Sequence, residues 1–143
     1  MISLLTILAK YIDVDINSKP GWYYLGKYVF NGHESDGRIT INVTGLTPQT
    51  TLLFYSDANT DWDKVWSMRK SECATVSSTK LATRIITESE YTMTVAKTPA
   101  PSYWYVAISN CVNNVEANGT IHMEDLEWGT PAKSYNTEFD FSA

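Results

Sequence analysis

Apolar and polar residues alternate in segment after segment of this chain. Ile12, Val14 and Ile16 are separated by Asp13 and Asp15, and Ile39, Ile41 and Val43 by Thr40 and Asn42. Tyr91, Met93 and Val95 alternate with Thr92 and Thr94, and Tyr135, Thr137, Phe139 and Phe141 continue the habit near the C-terminus. A period of two places successive side chains on opposite faces of a strand, one buried and one wet. Two runs are apolar nearly throughout, Leu52 to Tyr55 and Tyr103 to Ile108, and read as central strands covered on both sides. Turn signals fall at Asn31-Gly32, Asp36-Gly37, Gly45 to Pro48, Thr98 to Pro101, Asn118-Gly119 and Gly129 to Pro131. The pattern predicts an all-β protein, an antiparallel β-sandwich of seven to eight strands. One segment breaks it. Asp61 to Lys70, DWDKVWSMRK, sets Trp62, Val65, Trp66 and Arg69 at helical spacing, which predicts one short helix capped near Asn59 to Asp61.

Composition agrees with the pattern. The 143 residues fit a single domain able to bury one core. Five Trp, nine Tyr and four Phe make the chain 13% aromatic, which suits pleated, half-buried surfaces. The net charge is -5 and there is no Lys/Arg run, so nucleic acid is not expected as a partner: phosphate contacts demand the opposite sign. No stretch approaches the ~20 apolar residues that span a bilayer. Ile2 to Ala9 is a short apolar block ending in a small residue, without a basic leader. Residues 1–9 therefore read either as a signal-peptide remnant or as an N-terminal extension, with 10–143 as the domain.

Candidate chemistry is sparse. Cys73 and Cys111 are the only cysteines. They are either a bridge, closing a loop that contributes roughly 4 kcal/mol of chain entropy, or two unrelated buried thiols. Asn42-Val43-Thr44 and Asn118-Gly119-Thr120 match the N-glycosylation acceptor pattern. Asn42 falls on the polar side of its strand and Asn118 is expected in a turn, so both can carry a sugar without disturbing a core. Asp57, Asn59, Asp61 and Asp63 alternate as in the first half of a calcium loop. The sixth and twelfth positions of such a loop hold Trp62 and Met68 instead of glycine and a bidentate acid, so an acidic loop capping the helix is the preferred reading over a looser calcium site completed by other loops. The motifs GxSxG, HExxH, GxGxxG and the P-loop are absent, and His33 and His122 are isolated. The sequence gives no reason to expect an enzyme or a cofactor.

The order of features resembles a known family. WYYLGKYVFNGHESDGRITINVT (Trp22 to Thr44), LLFYSDANTDWDKVW (Leu52 to Trp66) with Cys73 close behind, WYVAISNC (Trp104 to Cys111) and the terminal SYNTEFDFSA (Ser134 to Ala143) follow one another as in the ectodomain of the intimal-thickness-related receptor family. These are seven-helix membrane proteins carrying a lumenal GOLD-type β-sandwich. The resemblance covers Tyr11 to Ala143, with Trp104 to Cys111 its most specific piece. Asn113 to Asn118 and the loop from Ala74 to Ile86 depart from the family pattern. The resemblance implies a GOLD-like fold, a Cys73–Cys111 disulfide and a cell-surface or secretory-lumen setting. It also implies membrane attachment only through a transmembrane region that this chain does not contain. It carries over no catalytic residue.

The combined expectation is a non-enzymatic, extracellular or lumenal recognition module that binds a protein or peptide partner. Its two sheets are expected to be clamped face to face by the disulfide. The alternatives are a structural subunit of an extracellular assembly and a carbohydrate-binding sandwich. The candidate surfaces are Asp57 to Trp66 and the loop Thr98 to Tyr103, where Pro99 and Pro101 stiffen the chain. For Tyr103 and Trp104, core packing is the preferred reading over an exposed platform.

Overall fold

A computed structural model describes residues 9–31 and 36–126. Eight strands occur among them: β1 (Ala9–Ser18), β2 (Gly21–Phe30), β3 (Gly37–Thr44), β4 (Thr51–Ser56), β5 (Arg84–Ile86), β6 (Glu90–Val95), β7 (Ser102–Asn110) and β8 (Val115–Asp125). Two short helices, α1 (Trp62–Met68) and α2 (Cys73–Val76), lie between β4 and β5. The strands form two four-stranded antiparallel sheets, ordered β1-β8-β3-β6 and β2-β7-β4-β5. The fold is an all-β sandwich. Its second helix is an addition to the single helix expected, and residues 1–8, His33, and the C-terminal alternation with its Gly129 to Pro131 turn lie outside the described residues.

The core between the sheets follows the period-two pattern. Val14 of β1, Ile39 and Ile41 of β3, Ile121 and Met123 of β8 meet Leu52 and Phe54 of β4 and Val106 and Ile108 of β7. The alternate residues of β4, Leu53 and Tyr55, face the other way and are equally buried, against Val65 of α1 and Val76 of α2. The continuous apolar run of β4 thus has a structural cause: helices cover the outer face of its sheet, so neither side of the strand meets water. Among the described residues, the outer face of the other sheet carries no such cover and stays polar, with Asp13, Asp15, Asn42, Thr44, Glu116 and Asn118 exposed.

Strand β2 departs from strict alternation. Tyr24 pairs with Ala107 and Gly26 with Val106, so Leu25 is an extra residue in a β-bulge. Before the bulge Trp22 faces the helices while Tyr23 and Leu25 pack toward the core; after it Tyr28 and Phe30 take the inward positions. One inserted residue exchanges the two faces of the strand. That exchange delivers Trp22 and Tyr24 to the helical side.

The Asn118-Gly119 pair is not a turn. It sits within β8, with Gly119 opposite Val14 on one side and Val43 on the other. The apolar alternation of Val115 and Ala117, resumed by Ile121 and Met123, keeps the chain in the sheet and outweighs the local turn preference. Glycine is required there for another reason. Its φ is +152°, and a Cβ would lie 2.2 Å from the Asn42 carbonyl oxygen and 2.7 Å from the Val43 Cα. Gly119→Ala should therefore lower stability by about 3 kcal/mol, through backbone overpacking and strain. A urea melt compared with that of Asn17→Ala on the neighbouring strand measures it, and a near-silent Gly119→Ala would contradict the close approach.

Candidate functional site

The helical cap is built from the end of β4 outward. Asp57 receives the Tyr103 backbone N–H on its Oδ1 (3.2 Å), fixing the chain as it leaves the sheet. Asp61 caps α1, its Oδ1 accepting from the Lys64 backbone N–H (3.3 Å). The helix then lays Val65 on the sheet and Trp62 flat on Tyr105, with ring centroids 4.1 Å apart and planes 6° from parallel. Trp66, one turn on, meets Trp22 and Tyr24 edge-on at 6.2 and 5.7 Å.

Three further links hold α2 to the same sheet. Cys73, its first residue, is disulfide-bonded to Cys111 at the exit of β7, with Cα atoms 5.9 Å apart. The Ser77 and Ser109 hydroxyls are hydrogen-bonded at 2.7 Å. The buried Tyr55 hydroxyl accepts from the Trp22 indole N–H (2.8 Å) and donates to the Val76 carbonyl (2.6 Å), spanning β2, β4 and α2. The disulfide is therefore present as expected, but it does not clamp sheet to sheet. Both cysteines belong to one side of the sandwich, because α2 rides on the outside of the sheet that contains β7. The link fixes a cap.

Between this cap and the start of β2 opens a cleft of about 490 Å³, with Trp22, Tyr24, Trp66, Arg69 and Lys70 among its walls and the disulfide at one end. Tyr24 and Trp66 are 41% and 40% exposed, unusually open for rings of this size. Burial, and then the neighbouring Tyr105, push the Tyr24 phenol above its ordinary pKa, so it is neutral at physiological pH. The Arg69 guanidinium lies 3.8 Å from the Trp66 ring centroid and donates from Nη1 to the Trp66 carbonyl (2.6 Å). Neither Arg69 nor Lys70 has an acidic partner within ion-pair distance among the described residues.

The remaining sequence candidates fall elsewhere. Asn42 and Asn118 are both exposed on the polar face of the opposite sheet, on adjacent strands. Asn42 pairs with Thr120, Val43 with Gly119 and Thr44 with Asn118, so the two tripeptides lie head to tail across one ladder. Asp57 and Asp61 serve the backbone, and among the described residues no three acidic, His or Cys side chains converge as a metal site requires. His122 stacks on Tyr11 at 4.1 Å, on the polar face. Trp104 is 8% exposed and packs edge-on against Phe30 in the core, whereas Tyr103 is 41% exposed beside Lys27. Sequence reasoning included Trp66 within a candidate segment but missed Tyr24, Arg69 and Lys70. The only available signal was the helical spacing of Trp66 and Arg69. No family model matches the chain, and no curated protein matches it significantly.

Two outcomes follow from the anchoring of the cap. Replacing both cysteines by serine should cost at least about 2 kcal/mol in chemical denaturation, because the unfolded chain regains the freedom of the closed loop. Tyr55→Phe should cost about 1–3 kcal/mol, since the Trp22 N–H and the Val76 carbonyl lose their partner in a buried site. The same phenol sets a pH dependence. Burial raises the pKa of Tyr55 well above 10.0, as it does for Tyr28, where the Asp125 carboxylate adds to the effect. In the unfolded chain each phenol ionises first, so their stabilisation is complete below the ordinary value and is lost as pH climbs above it. Urea melts should therefore hold level up to about pH 10 and weaken progressively as pH rises above it. Tyr55→Phe should flatten that decline, and an unchanged slope would remove Tyr55 from the account.

Proposed function

We propose that this chain is a non-enzymatic recognition module that works outside the cytosol and engages a protein or peptide partner through the cleft between α1 and β2. One observation carries the reading. Two large aromatic rings are held open beside a cation that has no acidic partner among the described residues, on a surface tied down by a disulfide and a buried tyrosine. Interface centres are enriched in Trp, Tyr and Arg, and a pre-ordered surface loses little entropy when it binds.

The extracellular or lumenal setting is supported by the disulfide, which persists in oxidising compartments, and by two glycosylation tripeptides exposed on the polar face. The resemblance to the GOLD-type ectodomain of the intimal-thickness-related receptor family belongs to the same proposal, supported by the two-sheet sandwich and the Cys73–Cys111 pair. A carbohydrate-binding role keeps one specific support, the exposed Tyr24 and Trp66 rings.

Expression in a secreting eukaryotic host should give a product that loses mass on N-glycosidase treatment, with part of the loss removed by Thr44→Ala and part by Thr120→Ala. The oxidised domain, fluorescently labelled, should bind intact cells of its source organism saturably and in a trypsin-sensitive manner. Trp66→Ala should weaken that binding by about tenfold or more, as expected of an aromatic hot spot. Binding unaffected by both Trp66→Ala and Tyr24→Ala would overturn the assignment of the cleft.

A further inference from the structure

The charge around the cleft runs against that of the chain. The whole protein carries a net charge of -5, yet among the described residues the cleft is lined by Arg69 and Lys70 and by no aspartate or glutamate. Of the nearest acids along the chain, Glu72 accepts from the Thr75 hydroxyl (3.5 Å), while Asp61 and Asp63 sit at the far end of α1 and are not among the residues lining the cleft. Arg69 is already oriented: stacked on Trp66 and bonded to its carbonyl through one nitrogen, it retains most of its N–H donors in a fixed plane. A guanidinium arranged this way matches a carboxylate, which accepts two parallel hydrogen bonds.

Among the described residues, the same cleft adjoins a strand edge with no neighbouring strand. Strand β2 is outermost in its sheet, and its first residues, Gly21 to Tyr24, line the cleft before the bulge interrupts the ladder. An exposed edge of this kind accepts an added strand through backbone hydrogen bonds. Free side-chain polar groups are few. The Trp22 indole is bonded to Tyr55 and the Tyr23 hydroxyl to the Lys19 carbonyl (2.7 Å). A sugar, with hydroxyls on every side, needs a denser set of partners than this. An extended peptide does not.

We infer that the cleft binds an extended acidic peptide segment of the partner, paired along the start of β2, with a carboxylate on Arg69 and a neighbouring apolar side chain against Tyr24 and Trp66. This rests on the recognition role proposed above and names its chemistry. Lys70 adds attraction at longer range, so association weakens as salt screens it.

The test uses the full oxidised chain and acetylated, amidated heptapeptides of alternating Thr and Val with a central Glu, Gln or Lys, titrated by calorimetry. A hyaluronan hexasaccharide serves as the acidic-sugar probe. The Glu peptide should bind about tenfold or more tighter than the Gln peptide, and the preference should shrink in high salt. Arg69→Gln, at a partly exposed position, should abolish the preference, Lys70→Gln should reduce it, and an unchanged thermal melt confirms that each variant is folded. Equal affinity for Glu and Gln peptides, no binding of any peptide, or binding of the hexasaccharide instead would overturn the inference. If cell binding is lost in Trp66→Ala but unchanged in Arg69→Gln, the acidic-peptide chemistry fails while the recognition role stands. If neither substitution, nor Tyr24→Ala, affects cell binding, both fail.

Discussion

Burial of β4 on both of its faces is the constraint around which this molecule is arranged. A strand whose odd and even side chains are all apolar satisfies one set by meeting the opposite sheet, and the other set then demands a second cover. Here Leu52 and Phe54 fill the sandwich, and Leu53 and Tyr55 oblige the chain to return over the outside of the same sheet as α1 and α2. Those helices are too short to be stable alone, so tertiary contacts must hold them. Tyr55, the Cys73–Cys111 link and the Ser77–Ser109 contact supply that attachment within a few residues of one another. The cleft is a by-product of the same demand, formed where the cap ends short of the sheet edge.

Much of the sandwich was legible because period-two burial leaves a direct imprint. Strands β1, β3 and β6 and both apolar runs are where the pattern puts them, and α1 begins at the residue after its cap. The failures share a physical form: a tertiary requirement overrode a local one. Asn118-Gly119 reads as a turn, but the apolar residues on either side draw it through the sheet, and its glycine answers a neighbouring backbone instead of a bend. Helix α2 has no side-chain cap and only one buried residue, so nothing local announces it. The cleft was least legible of all. Tyr24 reaches it because of a bulge whose single extra residue is invisible in WYYLGKYVF, and Arg69 stands out only because no acidic side chain among the described residues pairs with it.

The two outer faces of the sandwich divide along the same line. One is covered by helices and holds a cluster of aromatic residues, with Tyr24 and Trp66 left open at its border. The other is hydrophilic, has no helix over it among the described residues, and carries both acceptor tripeptides. Polar side chains there manage their own contacts, as in the two Arg38 nitrogens that reach Glu124 at 2.9 and 3.0 Å.

The register of β3 against β8 also dictates timing. Each acceptor tripeptide is extended, flanked by strands on both sides and locked against its counterpart. A transferase that needs a pliable acceptor would reach these asparagines only before the sheet forms. Zipping this single ladder would close both windows at once, and any sugar at the later tripeptide would act as a stopwatch for how fast the sheet assembles.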